Sequence, residues 1–369
     1  MTIRKPQHAI ATQLVRRLRD IRKPVLYCGD SALSKQVVGQ IDRLHRHYHP
    51  TPWLHGCHAQ LLYMNLRKKA GDQLGYDRIE PLIMADGGTT ALAWRGDNLP
   101  ADTPILVILH TITGSPESMR EMVGDLGQLT GWRVVLCLRR GHGDLPLTTP
   151  RINILGSTDD LREQLSCIRQ QYPDAPLYGI GSSAGSGLLT RYLGEEADAS
   201  VFRAAFVYCP GYDTGQAFTQ VHPTYSRLMA KKLVRQFITR QQDQLAQFAA
   251  LPRLQQAQSL ADFHDDHHEL AGYADRASYV AATNPMQVFA RISTPVMIVN
   301  SEDDPVCRIG NLMPHLEQIR SMPDAILVIT RQGSHCAHYE GWSARSWAHR
   351  LMAEYFQAMH GLAGAKGGE

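Results

Sequence analysis

Ala175-Pro176-Leu177-Tyr178-Gly179-Ile180-Gly181-Ser182-Ser183-Ala184-Gly185-Ser186-Gly187 runs directly into Leu188-Leu189-Thr190-Arg191-Tyr192-Leu193. An apolar run too short for a helix meets a cluster of glycines and serines, and a helical apolar pattern begins at once. The stretch therefore reads as strand, sharp turn and helix. Gly181-Ser182-Ser183-Ala184-Gly185 fits G-x-S-x-G. Small residues two positions either side of Ser183 suit a strained turn in which strand and helix backbones run close, and such a turn lifts the serine hydroxyl over the end of the sheet.

Two other readings use the same letters. Gly179-x-Gly181-x-x-Ala184 satisfies the dinucleotide fingerprint, and an ordinary Gly/Ser strand-to-helix turn would look alike. The dinucleotide pattern expects an early position and an Asp or Glu closing a second strand about 20 residues on. Here the glycines come mid-chain, and the next strand pattern, Ala204-Ala205-Phe206-Val207-Tyr208-Cys209, ends without an acid. The choice falls to the rest of the chain.

Outward from the turn, strand and helix patterns alternate. Ile105 to Leu109 reads as a strand, Ser115 to Leu129 as a helix, Arg133 to Leu138 as a strand and Thr158 to Gln171 as a helix. That alternation predicts an α/β protein with a mainly parallel central sheet flanked by helices. Ligands in such sheets sit beyond the carboxyl ends of the strands, where Ser183, His110 and the loop Arg140-Gly141-His142-Gly143 all fall. Ahead of this region, Arg78 to Trp94 reads as a β-hairpin turning at Asp86-Gly87-Gly88.

Residues 211 to about 285 break the alternation and read as a helical cap insertion over the strand ends. Within it, Tyr225 to Arg240 is a basic amphipathic helix, and a Gln-rich helical stretch follows from Gln241 to Leu260. Phe263-His264-Asp265-Asp266-His267-His268-Glu269 has metal-ligating residue types, but solvated side chains on a cap segment are the commoner explanation. Strand patterns return at Pro295 to Asn300 and Ala325 to Thr330, and a helix from Ala344 to Met359 closes the main domain, 48–360. Residues 361–369 read as a disordered tail. Residues 1–47 read as a helical extension whose first 24 residues carry Arg4, Lys5, Arg16, Arg17, Arg19, Arg22 and Lys23 against one acid, Asp20. That helix either packs on the body or makes weak contact with an anionic membrane surface. Tyr48 to Gln60 reads as an ordered loop.

Across 369 residues, 38 Lys and Arg stand against 35 Asp and Glu, a net charge of +3 that calls for no nucleic-acid partner. Hydrophobic residues make up 43% of the chain, enough for a real core. No apolar run approaches the roughly 18 residues of a membrane span, so a soluble protein is expected. Seven cysteines, at 28, 57, 137, 167, 209, 307 and 336, are odd in number and lack zinc spacing. They point to a reducing, cytoplasmic setting, and the serine chemistry that follows calls for no metal and no cofactor.

Serine needs an imidazole to take its proton and a carboxylate to hold that imidazole. Ser183, Asp304 and His335 follow in the order Ser, acid, His, each just after a predicted strand, which is the order of the α/β-hydrolase fold. Asp303 is the alternative acid and His338 the alternative base. Backbone N–H donors for an oxyanion are expected from Ala184, after the nucleophile, and from Ile112, in Leu109-His110-Thr111-Ile112-Thr113-Gly114.

On these residues the chain resembles the AB hydrolase 4 family, which spans bacterial YheT-type hydrolases, plant embryogenesis-associated proteins, yeast ethanol acyltransferases and mammalian membrane-bound lipases. The resemblance rests on Pro50-Thr51-Pro52-Trp53, Asp86-Gly87-Gly88 with Trp94, Leu109-His110, Thr113-Gly114, Arg140-Gly141, Pro146 to Arg151, Asp159-Asp160-Leu161, Ser183 with Gly185, and Asp304-Pro305. It implies an α/β-hydrolase fold with Ser183, an Asp of the 303/304 pair and His335 as the triad, and a metal-free cap at Phe263-His264-Asp265. Thr111 and Ser186 replace glycines usual in the family. The expected function is a serine hydrolase acting on small-molecule acyl or lipid esters. Acyl transfer to an alcohol is the first alternative, and a non-catalytic scaffold on the same fold the second.

Overall fold

The computed structural model describes residues 22–70 and 75–366. The basic N-terminal helix expected over residues 1–24 falls almost wholly outside them. In chain order the main elements are β1 (Val25–Cys28), α1 (Ala32–Gln40), α2 (Cys57–Ala70), β2 (Arg78–Ile83), β3 (Thr89–Arg95), β4 (Ile105–Leu109), α3 (Pro116–Thr130), β5 (Arg133–Leu138), α4 (Thr158–Gln171), β6 (Leu177–Ser182), α5 (Ala184–Glu196) and β7 (Phe202–Tyr208). Then come the cap helices α6 (Thr214–Gln220), α7 (Pro223–Leu233), α8 (Leu260–Asp266) and α9 (Arg276–Thr283), followed by β8 (Val296–Ser301), β9 (Ala325–Thr330) and α10 (Trp347–Lys366).

One nine-stranded sheet, in the order β1-β9-β8-β7-β6-β4-β5-β3-β2, carries the molecule. Strands β4 to β9 are mutually parallel, while the β2–β3 hairpin and β1 add antiparallel edges. The inner strands read as continuous aliphatic runs because both faces are buried. On one face Leu106, Ile108, Tyr178, Ile180, Phe206 and Val299 pack against α3 and α10 through Met119, Val123, Trp347, Leu351 and Phe356. On the other, Ile105, Val107, Val135, Leu177 and Ile298 meet Leu161, Leu165, Leu189 and Leu193 of α4 and α5. Helix starts are chemically marked. Ser115 and Ser118 form a reciprocal capping box at α3, and the Ser157 hydroxyl accepts from the Asp159 and Asp160 amides at α4.

The structure departs from the sequence expectation where tertiary contacts override local pattern. The extension over 1–47 is not wholly helical. Val25–Cys28 pairs antiparallel with β9 and closes a sheet edge, because the open backbone groups of β9 recruit a four-residue run that has no periodicity of its own. The expected loop Tyr48–Gln60 gives way to α2 at Cys57. The Gln-rich stretch is not one helix but short turns at Gln242–Leu245 and Leu251–Gln255. The tail is helical to Lys366, since Leu362 packs on the core and extends α10 past Gly361. Residues 367–369 lie outside the described set. Among the described residues no helix is long and apolar enough to cross a membrane.

One buried cation fastens the hairpin to the parallel sheet. Arg140, with its side chain 7% exposed, binds Asp160 of α4 through both Nε and Nη2 and Asp86 of the hairpin turn through Nη1, all at 2.7–2.8 Å. Removing the guanidinium leaves Asp160 half-enclosed without a partner. Arg140→Ala is expected to lower unfolding free energy by about 3 kcal/mol, read from urea denaturation. A loss within error of zero would show that the two carboxylates resolvate freely.

Candidate active site

Ser183 occupies a backbone conformation that side chains rarely adopt, with φ 53° and ψ −117°. Its neighbours explain how. A Cβ on Gly185 would lie 2.1 Å from the Leu109 carbonyl oxygen, and one on Gly181 would lie 2.5 Å from the Gly185 oxygen. The first turn of α5 thus presses against β4 and β6 with no room for side chains, and the chain must pivot sharply at Ser183. The Ser183 amide donates to Tyr208 O at 2.9 Å, which anchors the pivot to β7. Ser186, where the family carries glycine, is fully buried and its hydroxyl donates to the Ser183 carbonyl. The substitution therefore adds a hydrogen bond to the turn.

His335 follows β9 and reaches across two strands. Its Nε2 lies 2.8 Å from Ser183 Oγ, and its Nδ1 lies 2.8 Å from Asp304 Oδ2. Asp304 Oδ1 accepts the amides of Val306 and Cys307 at 2.7 and 2.8 Å. Burial raises the Asp304 pKa and opposes a charged His335; the Asp304 carboxylate, together with the Cys336 and Cys307 thiols, more than offsets that burial and holds the imidazole well above its ordinary value. Of the adjacent acids, Asp303 takes the other role. Its Oδ1 accepts the Ser334 amide at 2.8 Å, bracing the loop that carries His335, and burial together with Asp304 lifts its pKa to about 6. His338 stays away from Ser183. It lies between the Tyr208 hydroxyl, 2.9 Å from Nδ1, and Thr330 Oγ1, 3.0 Å from Nε2, and burial holds it neutral with a pKa of about 3.

The loop after β4 is gripped from beneath by His110 and His142, which the sequence placed at the strand ends, and by Arg139, which sequence reading did not single out. Arg139, 6% exposed, donates to the carbonyls of His110 at 2.9 Å and Thr111 at 2.7 Å. No carboxylate pairs with it among the described residues, and burial pulls its pKa down to about 9. His110 Nε2 accepts the Arg139 amide at 3.2 Å, so Nδ1 carries the proton that goes to Thr111 O at 2.8 Å. His142 Nε2 lies 3.0 Å from Ile112 O. In a trans peptide the C=O and the following N–H point in opposite directions. Turning Thr111 O down to Arg139 therefore turns the Ile112 N–H the other way. Thr111 itself has no positive φ, so the glycine usual there is not required. The available sequence signal was the basic pair Arg139-Arg140 directly after a buried strand.

Ile112, Ser183 and Ala184 line a cavity that runs beneath the cap. Leu155, Leu188, Phe218, Val221, Met229 and Leu260 form its apolar wall, and Arg151, Ser157, Arg191 and Tyr273 its polar end. Of the histidines in the Phe263–Glu269 stretch, His264 and His267 are buried rather than solvated, while His268 stays partly exposed. His264 stacks on Phe218, and His267 Nε2 accepts the Ile154 amide at 3.2 Å; burial depresses their pKa values to about 4 and about 3. Asp265, Asp266 and Glu269 are spent on Arg276, Arg253 and the Ala249 and Ala250 amides. Among the described residues the groups with metal-ligand proximity are instead Cys209, His335 and Cys336, and Asp304, Cys307 and His335, with ligand atoms within 4.8 Å of one another. Both groups use the imidazole that Ser183 and Asp304 already hold.

Comparison with known proteins agrees with this architecture. Residues 104–341 match the family described as the alpha/beta hydrolase fold. Protein ABHD15 of Homo sapiens is 27% identical over 350 residues, covering 90% of this chain and 74% of that protein. Monoacylglycerol lipase ABHD2 of Mus musculus is 26% identical, covering 91% and 85%. The medium-chain fatty acid ethyl ester synthase/esterase 2 of Saccharomyces cerevisiae is 28% identical, covering 69% and 62%. With the strained turn at Ser183, the parallel sheet and the matched residues in view, the chain belongs to the α/β-hydrolase fold family, and its similarity to these relatives fits the AB hydrolase 4 resemblance.

Proposed function

We propose that the protein is a serine hydrolase that cleaves carboxylic esters of fatty acyl groups through an acyl-Ser183 intermediate. The observation that carries this reading is the continuous hydrogen-bonded line from Ser183 Oγ through His335 to a fully buried Asp304 carboxylate. Ser183 Oγ attacks the ester carbonyl as its proton passes to His335 Nε2. The Ile112 and Ala184 amides receive the developing oxyanion. Collapse expels the alcohol, which takes the proton from His335. Water, deprotonated by the same imidazole, then attacks the acyl-serine and releases the acid. The chain supplies every group that these steps use.

The cavity's apolar wall suits an acyl chain and its polar end an alcohol portion with hydroxyl or charged groups. The relative named as a monoacylglycerol lipase supports an ester of that amphiphilic kind. Seven cysteines, an odd number, support a cytoplasmic setting. A second reading has one specific support, the relative named as an ethyl ester synthase/esterase. An alcohol in place of water at the second step would make a new ester from the same acyl-enzyme.

A fluorophosphonate probe is expected to label wild type and Ser182→Ala at Ser183 and to leave Ser183→Ala unlabelled. Turnover of a short acyl ester should fall about a million-fold in the alanine variant. Folded wild type that resists the probe would overturn the mechanism. Because His335 serves as base only when unprotonated, kcat/KM should rise with pH through an inflection above the ordinary imidazole value. Asp304→Asn should move that inflection down and cut kcat about 10⁴-fold, while Asp303→Asn leaves it in place; equal effects of the two would exchange their roles. Added ethanol should divert product from free acid to ethyl ester in proportion to its concentration if transfer competes with hydrolysis. Acid alone at every ethanol concentration would exclude transfer.

A further inference from the structure

The mechanism leaves unused a group of large apolar side chains that face solvent beside the cap. Trp342 is 77% exposed, Leu62 63%, Leu228 58%, Leu66 55% and Trp53 46%. They are joined. The Trp53 indole N–H donates to Trp342 O at 2.9 Å, and its ring meets Tyr63 of α2 edge-on at 5.0 Å. Leu62 and Leu66 stand one turn apart on α2, and His58, one turn earlier on the same face, contacts the Tyr225 hydroxyl of α7 at 2.7 Å. Leu228 follows Tyr225 by three residues.

A basic stripe continues from that point. Lys231 and Arg235 succeed Leu228 at helical spacing, Arg227 lies beside it, and all three are exposed with no acidic partner among the described residues. From Val221 to Gln242 the chain holds five Lys or Arg and no Asp or Glu. This is the basic amphipathic helix of the sequence, and the serine mechanism gives its charge no task. Its other side faces the cavity, for Val221 and Met229 line the space that opens on Ser183.

We propose that this face docks on an anionic phospholipid membrane, with the tryptophans and leucines entering the interface and Arg227, Lys231 and Arg235 meeting lipid headgroups. Protruding apolar side chains bordered by unpaired cations match a surface that is apolar just below a layer of negative charge. A protein partner would present fixed carboxylates and a shaped apolar counterface; a bilayer needs neither, and the flexible cationic side chains on one helix suit it. Docking would set the cavity mouth against a lipid source. It is independent of the chemistry at Ser183, so Ser183→Ala should bind as wild type does, and failure of docking is distinguishable from failure of the hydrolase reading.

The full chain is tested by co-sedimentation with vesicles of phosphatidylcholine alone and of phosphatidylcholine mixed with phosphatidylserine, and by quenching of tryptophan emission with brominated phosphatidylcholine in the mixed vesicles. Wild type should bind the mixed vesicles, with quenching, and lose affinity as salt is added. Arg227→Glu/Lys231→Glu/Arg235→Glu and Leu62→Ser/Leu66→Ser/Trp342→Ser should each weaken binding by about tenfold or more, with turnover of a water-soluble short-chain ester and urea stability unchanged. Arg16→Glu/Arg17→Glu/Arg19→Glu, in the basic N-terminal segment, should retain binding. The proposal is overturned if wild type ignores phosphatidylserine, if only the N-terminal variant loses binding, or if the apolar triple variant instead abolishes self-association measured without lipid.

Discussion

The close approach of α5 to β4 and β6 is the constraint on which the rest depends. With only hydrogen at Gly181 and Gly185, the helix backbone sits against the Leu109 carbonyl, and the chain between strand and helix has no relaxed conformation available. Ser183 absorbs the strain at φ 53°. The cost is of order 1–3 kcal/mol, and nine sheet strands packed on both faces readily support it. In return the hydroxyl stands clear of the sheet at the one height where a histidine from the loop after β9 meets it.

Electrostatics then separates the buried imidazoles into two kinds. His110, His142, His267 and His338 are buried without a carboxylate in hydrogen-bond contact, and desolvation holds each below its ordinary pKa. They serve as neutral brackets that satisfy backbone carbonyls, amides and hydroxyls. His335 alone among these buried rings shares a hydrogen bond with a buried carboxylate, and its pKa moves the other way. Arg139 brings a further asymmetry. A guanidinium buried with the His110 and Thr111 carbonyls and the His142 ring for partners is held by the loop it supports, and its charge lies against the Thr111–Ile112 peptide. Such a charge polarises that peptide and strengthens the donor on its far side.

The cap has its own core of Leu233, Phe237, Leu254, Leu260, Phe263 and Tyr279, so it is a packed layer rather than a loose flap. That core fixes α7 with one side over the cavity and the other toward solvent. Cavity and basic surface are therefore two faces of one short helix, and a change in its seating would be felt at both.

Residue order and spacing alone determined a good deal. Ile105–Leu109, Arg133–Leu138, Thr158–Gln171 and Ala325–Thr330 stand at the limits their patterns predict, because a buried parallel strand must be aliphatic throughout and an amphipathic helix must repeat every turn. Ser183, Asp304 and His335 were legible because each chemistry-bearing residue follows such a strand directly. Other features were settled only by contacts between distant residues. Asp303 and Asp304 are equivalent in the sequence, and they part only because the Val306 and Cys307 amides turn one carboxylate toward His335 while Ser334 claims the other. The strand Val25–Cys28 exists because β9 offers it an edge. Arg139 became a support of the Ile112 loop because β4 and β5 run side by side and end together. A linear pattern records what a residue prefers locally; which of two equal candidates meets its partner is a property of three-dimensional packing.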